Sequence, residues 1–268
     1  MISPDLLFLL SLLSKMAVTA AFVVGATYLA ERTGAVIAAM VATLPIAAGP
    51  AYIFLALDHG PAFIADSMLA SLVGNAANSV FALTYALLAQ RRSLAASVIP
   101  ALGAWTAVAA LSRAVPWTTL SAVAFSTVVL AAALMIGNRL RHARMPLVTA
   151  RWYDVPLRAG MVAMMVATVV AVSTQVGPAV TGVLAVFPIV LLSLMLILHH
   201  RIGGPAAAAV LANTLLGLVG FSATCLTGRL AVVPLGPAAG LALALAVSIG
   251  CNLGFWWLRR KPLPTPRA

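Results

Sequence analysis

Nine apolar stretches follow one another along this chain, each long enough to cross a membrane as a helix. A helix needs about 20 mainly apolar residues to span the ~30 Å hydrocarbon core. The chain is 63% hydrophobic and 8% charged, whereas a soluble domain carries about 25% charged residues. The sequence therefore predicts an all-α integral membrane protein with about nine transmembrane helices, at 5–31, 34–58, 61–90, 94–112, 116–138, 155–175, 178–200, 205–228 and 231–258.

The basic residues divide unequally between the two sides that nine crossings create. Only Arg113 and Arg229 fall on one side. Since cytoplasmic loops are rich in Lys and Arg, we expect an inner (cell) membrane protein with its N-terminus outside and its C-terminus in the cytoplasm. Topology and anionic lipids explain the net charge of +11, so the expected partner is the lipid bilayer and not nucleic acid. The cytoplasmic set is Arg32, Arg91, Arg92, Arg139, Arg141, Arg144, Arg151, Arg201, Arg259, Arg260, Lys261 and Arg267.

Two Pro-Ile pairs interrupt the second and seventh stretches at corresponding places, Pro45-Ile46 and Pro188-Ile189. Shifting the chain by the 143 residues that separate these pairs aligns the first stretch with the sixth, which lies five crossings later. An odd number of crossings reverses direction across the membrane, so the two halves are expected to form an inverted repeat. The same offset pairs Lys15 with Arg158, Gly34 with Gly177, Ala42 with Ala185, Leu55 with Leu198, and Gly60 with Gly203.

This duplication predicts four parts in the chain. An N-terminal repeat of five helices (1–138) is followed by a basic cytoplasmic loop (139–154). A C-terminal inverted repeat of four helices (155–258) precedes a basic cytoplasmic tail (259–268). The second half is expected to lack a counterpart of the fifth helix, because the chain ends soon after Trp257.

The two prolines interrupt helices where hydrocarbon cannot satisfy the freed backbone groups. We therefore expect the breaks to face each other across an enclosed polar space, with helix N-termini that favour an anion or polar group. The second helix is the stronger candidate for unwinding, because Gly49-Pro50 follows Pro45. The seventh helix continues through Val190–Ser193 and is expected only to kink. Simple kinks without a ligand are the alternative for both, since proline is common in membrane helices.

The third stretch is the most polar, with Ser67, Ser71, Asn75, Asn78 and Ser79 at the spacing of one helical face. Such a face must point into the bundle. Its polar groups either contact a substrate or form interhelical hydrogen bonds of ~0.6 kcal/mol each. The predicted substrate-binding residues are Lys15, Thr43, Pro45, Gly49, Asn75, Asn78, Pro188 and Asn213.

Lys15 and Asp66 are ionisable residues within predicted spans, which makes them functional candidates. Both lie nearer the outer face, where a Lys15–Asp66 pair can form if the first and third helices touch. Asp66 is predicted to bind and release a coupling proton, and Lys15 to neutralise a substrate carboxylate. The alternative is that Asp66 lies at the outer interface and the Lys15 side chain extends to the surface.

Matched interruptions in two halves are typical of a secondary transporter. The sequence thus predicts alternating-access transport of a small anionic or zwitterionic solute. We expect no enzymatic activity, no catalytic residues, no metal site and no cofactor, since the chain lacks P-loop, HExxH and GxSxG motifs. The alternatives are a flippase for an anionic lipid or lipid carrier, which a lateral opening between helices would favour, and a non-catalytic subunit of a larger complex. Assembly into a homo-oligomer is left open.

Overall fold

The computed structural model describes residues 4–32, 45–140 and 151–260, and the regular elements in these ranges are helices. A short 3-10 turn at Asn138–Leu140 follows the fifth helix. The helices are α1 (Pro4–Arg32), α2 (Ala48–Asp58), α3 (Pro61–Leu88), α4 (Leu94–Ser112), α5 (Thr119–Gly137), α6 (Asp154–Ala185), α7 (Ile189–Ile202) and α8 (Gly204–Arg260).

Six segments of the described chain are helical, long and apolar enough to cross a membrane. Four of them correspond to α1, α3, α4 and α5, which follow the predicted first, third, fourth and fifth spans. The other two, Asp154–Ile202 and Gly204–Phe255, are 49 and 52 residues long, well beyond the ~20 residues that one crossing needs. The prediction of an all-α membrane protein is confirmed.

Helix α8 reverses direction at Gly236, where φ is 80°. A Cβ atom placed on Gly240 would lie 2.6 Å from the Cα of Val232, although residues eight apart in a straight helix are separated by ~12 Å. Gly220 packs against Cys251 in the same register. The two segments, α8a (204–235) and α8b (237–260), are therefore an antiparallel hairpin.

This reversal lies later than the boundary predicted between residues 228 and 231. Arg229 suggested a loop because of its charge, but it belongs to α8a and forms an ion pair with Asp66. A paired arginine can remain in a helix, so the turn falls at the next glycine that allows a positive φ.

Helix α6 turns in the same way at Gly177, where φ is 72°. This glycine divides it into α6a (154–176) and α6b (178–185). Arg201, in the last turn of α7, forms an ion pair with Asp154 in the first turn of α6a. The α6b–α7 arm therefore runs back along α6a.

The central helix is α3, which packs against α2, α4, α5, α6 and α8. It runs antiparallel to α8a, with Asp66 bonded to Arg229 at one end and Gly204 pressed against the carbonyl oxygen of Ala89 at the other. Between them, the Asn75 side chain donates to the carbonyl oxygen of Leu218. The α3–α8a pair thus forms the middle of the bundle.

Replacing Gly236 with alanine is expected to destabilise the protein by about 1–3 kcal/mol, because a side chain strains the backbone at positive φ. Gly250→Ala is the matched control, since a Cβ at Gly250 meets nothing within 4 Å and its φ is not positive. Unfolding of the purified variants in detergent would measure the difference. Equal stability of the two variants would contradict the proposed role of Gly236 in the turn.

Candidate functional site

The backbone is interrupted between α6b and α7, where Val186, Phe187 and Pro188 are not helical. Their carbonyl and amide groups accordingly need other partners. Proline alone does not cause this break, because Pro100 lies inside α4, which continues past it. The seventh predicted helix is therefore interrupted, not merely kinked.

Asn78 of α3 stabilises this break. Its Nδ2 donates to the carbonyl oxygen of Val186 at 2.9 Å, and its Oδ1 accepts from Nε1 of Trp105 at 2.8 Å. The Trp105 ring also packs edge-on against Phe187, with ring centroids 5.0 Å apart. Asn78 and Trp105 together hold the non-helical segment in place.

The other break precedes α2. Residues 45–47 are not helical, and the N–H of Gly49 donates to the carbonyl oxygen of Pro45 at 2.6 Å. Gly49 and Pro50 belong to the first turn of α2, where a proline loses no helical hydrogen bond. The unwinding predicted through Gly49-Pro50 is therefore wrong, and within the described part of the predicted second span the non-helical residues are 45–47.

Both breaks contribute to one apolar cluster, which we call the junction cluster. It contains residues beside the first break and residues beside the second, so both segments border the same part of the bundle core. Its members from these segments are Ile46, Ala47, Ala48, Ala51, Leu184, Ala185, Phe187, Ile189 and Val190.

A cavity of about 590 Å³ lies beside the first break, between α2, α3 and both arms of α8. Its volume is in the range of small-molecule pockets. We call it the α2–α8 cavity. Its lining is Pro45, Ala48, Gly49, Tyr52, Ile53, Ala56, Leu57, Met68, Phe221, Thr224, Pro237, Ala238, Leu241, Ala242, Ala244 and Leu245.

A second cavity, of about 530 Å³, adjoins the other break. Phe187 and Ile189 line it from either side of Pro188, and Met161, Met164 and Met165 line it from α6a. Methionine side chains are flexible and adapt to irregular spaces. Each interruption thus has a cavity beside it.

These cavities are apolar, in contrast to the polar space that the sequence predicted. The reason is that the polar face of α3 forms interhelical hydrogen bonds. Ser71 donates to the carbonyl oxygen of Gly182 and is bonded to the Tyr52 hydroxyl, while Asn75 donates to Leu218 and Ser222. Among the described residues, the Oγ of Ser67 and the Oδ1 of Asn75 are buried without a hydrogen-bond partner.

The structure brings together only part of the predicted substrate-binding set. Pro45 and Gly49 line the α2–α8 cavity, and Pro188 lies in the second break. Asn213 donates to the carbonyl oxygen of Ala209 in its own helix. Thr43 lies outside the described residues.

The two candidate charged residues, Lys15 and Asp66, each form an ion pair with a different residue. Lys15 is 2.6 Å from Asp58 at the end of α2, and its ammonium lies over the Phe54 ring. Asp66 is 2.6 Å from Arg229. The structure therefore does not contain the Lys15–Asp66 pair considered from the sequence, because Lys15 pairs with Asp58 and Asp66 pairs with Arg229.

A third ion pair joins α6a to α7, where Arg201 contacts both carboxylate oxygens of Asp154 at 2.5 and 2.6 Å. The Arg201 guanidinium also lies over the Tyr153 ring. Hydrogen bonds from Arg151 and Arg201 lower the pKa of the exposed Tyr153 hydroxyl. This cluster fixes one end of the α6b–α7 arm.

A double-mutant cycle on Lys15→Gln and Asp58→Asn is expected to give a coupling energy of about 0.2–1 kcal/mol, the usual value for a partly exposed pair. A parallel cycle on Lys15→Gln and Asp66→Asn should give none within error. The free energy of unfolding of each variant supplies both values. Coupling of Lys15 to Asp66 alone would contradict the observed pairing.

Two side chains at the breaks were not predicted from the sequence. Tyr52 lines the α2–α8 cavity, and Trp105 packs on the second break. Trp105 did carry a signal, because the other four tryptophans lie near predicted span ends, where interfacial aromatics belong. An indole in the middle of a span needs a hydrogen-bond acceptor, and Asn78 supplies it.

Within the described ranges, no group of three or more His, Cys, Asp or Glu side chains is arranged to hold a metal ion. Comparison of the chain with known protein families, curated proteins and solved structures gives no match. The class that the fold defines is a multi-helix membrane protein.

Proposed function

We propose that this protein is a secondary carrier that moves its substrate across the membrane by alternating access. The observation that supports this most is that two non-helical segments, 45–47 and 186–188, both contribute residues to one apolar cluster, with a cavity beside each. Discontinuous helices that line a cavity at the interface of two repeats are the usual substrate sites of such carriers.

The proposal includes nine crossings. The helices α1, α3, α4 and α5 account for four, and α6a, the α6b–α7 arm, α8a and α8b account for four more. The predicted span 34–58 is the ninth, of which α2 is the described part. The ion pairs support this count, because Asp66 and Arg229 are both predicted at the outer face, and Asp154 and Arg201 both at the cytoplasmic face.

An inverted repeat is supported by contacts between equivalent residues. Asn75 and Leu218 are 143 residues apart and hydrogen-bonded. Equivalent positions of two halves touch only near the axis that relates them. The antiparallel pair α3 and α8a therefore fits a pseudo-twofold axis in the membrane plane.

A second correspondence involves the ion pairs. Lys15 of the first helix bonds to Asp58 of the second, and Asp154 of the sixth bonds to Arg201 of the seventh. Asp58 and Arg201 are equivalent under the same offset. Asp154 corresponds to Ser11, about one helical turn before Lys15, so an ion pair joins corresponding helices of the two halves at nearby positions, with the signs of the charges exchanged.

Alternating access requires that equivalent surfaces of the two halves pack differently, one closely and the other loosely. The two halves differ in this way. Val98 and Ala101 of α4 are buried in a cluster with Leu191 and Met195 of α7. Their equivalents, Leu241 and Ala244 of α8b, line the α2–α8 cavity. The α4–α7 surface is closed where the equivalent α8b–α2 surface is open, so the proposed second state exchanges the two.

The transport test is uptake or counterflow in proteoliposomes with a panel of small anionic and zwitterionic metabolites. Pro188→Ala is expected to reduce flux, because it restores a backbone N–H and so favours helix in a segment that Asn78 and Trp105 hold non-helical. Pro100→Ala is the matched control, since Pro100 interrupts nothing. Flux for no member of the panel, or equal flux in both variants, would count against the proposal.

The predicted roles of the two charges are part of the proposal. Loss of pH-dependent flux in Asp66→Asn, with normal folding, would support proton coupling through Asp66. Unchanged pH dependence would remove that role. For Lys15→Gln, an unaltered substrate affinity would reject neutralisation of a substrate carboxylate by Lys15.

A second candidate is a flippase for an anionic lipid or lipid carrier. The observation that favours it is that the α2–α8 cavity is bordered by exposed apolar side chains of α2 and α8b. Movement of a fluorescent lipid between leaflets of the same proteoliposomes, measured by chemical quenching of the outer leaflet, separates this activity from solute uptake.

A further inference from the structure

We propose that the α2–α8 cavity binds the acyl chain of a membrane lipid, which enters sideways from the bilayer. Binding at this site deepens the proposed function by giving the substrate an apolar body. The role of the bound lipid as the carried molecule, and its effect on the open arrangement, rest on the proposed function.

The lining offers hydrocarbon contacts and few hydrogen bonds. Its two side-chain hydroxyls, in Tyr52 and Thr224, already have partners in Ser71 and the carbonyl oxygen of Gly220. A polar solute entering here would give up its bonds to water without gaining equivalent partners, which is unfavourable. An acyl chain loses no hydrogen bond on entry, so this lining selects for it.

The mouth of the cavity is apolar as well. Ile53 and Leu57 of α2 are 57% and 74% exposed, and Leu245 of α8b is 42% exposed. In a membrane-spanning helix, side chains exposed in this way contact lipid hydrocarbon. The cavity therefore opens between α2 and α8b toward the acyl chains of the bilayer.

The inner end of the cavity reaches the central helices and the first break, beside the α2 and α8b surfaces that move apart in the proposed mechanism. Met68, which is almost fully buried, and Phe221 lie on the central helices, and Pro45 lies at the first break. An acyl chain between α2 and α8b thus touches both surfaces whose separation distinguishes open from closed packing. Its binding would favour the open arrangement, because ligands stabilise the state that they fit.

The test uses the full-length protein in nanodiscs that contain a trace of phospholipid with a diazirine in its acyl chain. After photolysis, peptide mass spectrometry should find the label on 45–57 and 237–245, and excess unlabelled lipid should compete with it. Ala242→Trp fills the cavity and is expected to lower this labelling by about tenfold, equivalent to ~1.4 kcal/mol of binding free energy. The control Ala239→Trp is on the same helix, is also exposed and does not line the cavity.

A second variant, Ala238→Trp, keeps the test valid if Ala242→Trp does not fold, because Ala238 also lines the cavity. Equal labelling of all lipid-facing helices, unaffected by either variant, would overturn the proposal. So would labelling of the cavity by a water-soluble diazirine carboxylate in place of the lipid. Specific lipid labelling without transport would reject the carrier function alone, whereas transport without lipid labelling would reject this inference alone.

Discussion

Gly182→Ala is expected to destabilise the protein by about 1–3 kcal/mol or more, because it adds a methyl group where two helices touch through their backbones. A Cβ at this position would overlap the carbonyl oxygen of Ser67 and lie 2.8 Å from the Cβ of Ala70. Backbone atoms cannot rotate away as a side chain can. The variant must therefore separate α6b from α3, which also weakens the bond from Ser71 to the carbonyl oxygen of Gly182.

Gly160→Ala is the matched control for this prediction. Gly160 is in the same helix, but a Cβ there meets nothing within 4 Å. Since alanine is the better helix former, this control should be neutral or slightly stabilising. Denaturation of both variants in mixed micelles gives the two free energies of unfolding. A Gly182→Ala variant as stable as Gly160→Ala would mean that α6b does not pack on α3 in this way.

Trp105→Ala is the second large effect, with an expected loss of about 3–5 kcal/mol, the usual cost of truncating a buried aromatic side chain. It removes the ring contact with Phe187 and leaves the Oδ1 of Asn78 without its donor. Because Trp105 packs on the closed α4–α7 surface, the truncation should also loosen that surface relative to the open α8b–α2 surface.

Two variants separate the contributions of Trp105. Trp105→Phe keeps an aromatic ring but loses the indole N–H, so it should cost about 1–3 kcal/mol through the unpaired acceptor. Trp152→Ala is the control, since Trp152 is 86% exposed. Thermal unfolding in detergent ranks the three variants. If Trp105→Ala is no more costly than Trp152→Ala, Trp105 does not stabilise the second break.

The helical fold could be predicted from the sequence because long apolar runs admit few other structures in a membrane. Turn positions were harder. Gly177 falls between two predicted spans, as expected, but the reversal at Gly236 was missed because the charge of Arg229 suggested a loop. Whether an arginine is in a loop or is paired inside a helix depends on the partner, and hydropathy contains no information about partners.

The candidate site, like the fold, could be predicted from the sequence only in part. Periodicity predicted correctly that the polar face of α3 points inward, since Ser71, Asn75 and Asn78 are all buried. It could not distinguish substrate contacts from interhelical bonds, because both need the same residue types. The choice of Asp58 as the partner of Lys15 likewise depends on which helices are neighbours. That information comes from tertiary packing alone.

The most direct test of alternating access is a pair of spin-label distances at equivalent positions of the two halves. In a background without Cys225 and Cys251, one pair of labels is placed at Ile53 and Leu245 beside the α2–α8 cavity. The other is placed at their equivalents, Leu196 and Leu102. Pulsed electron paramagnetic resonance in nanodiscs should show two distances for each pair. As substrate or lipid is varied, the longer distance of one pair should accompany the shorter distance of the other. A single distance for each pair, unchanged under all conditions, would contradict the carrier mechanism.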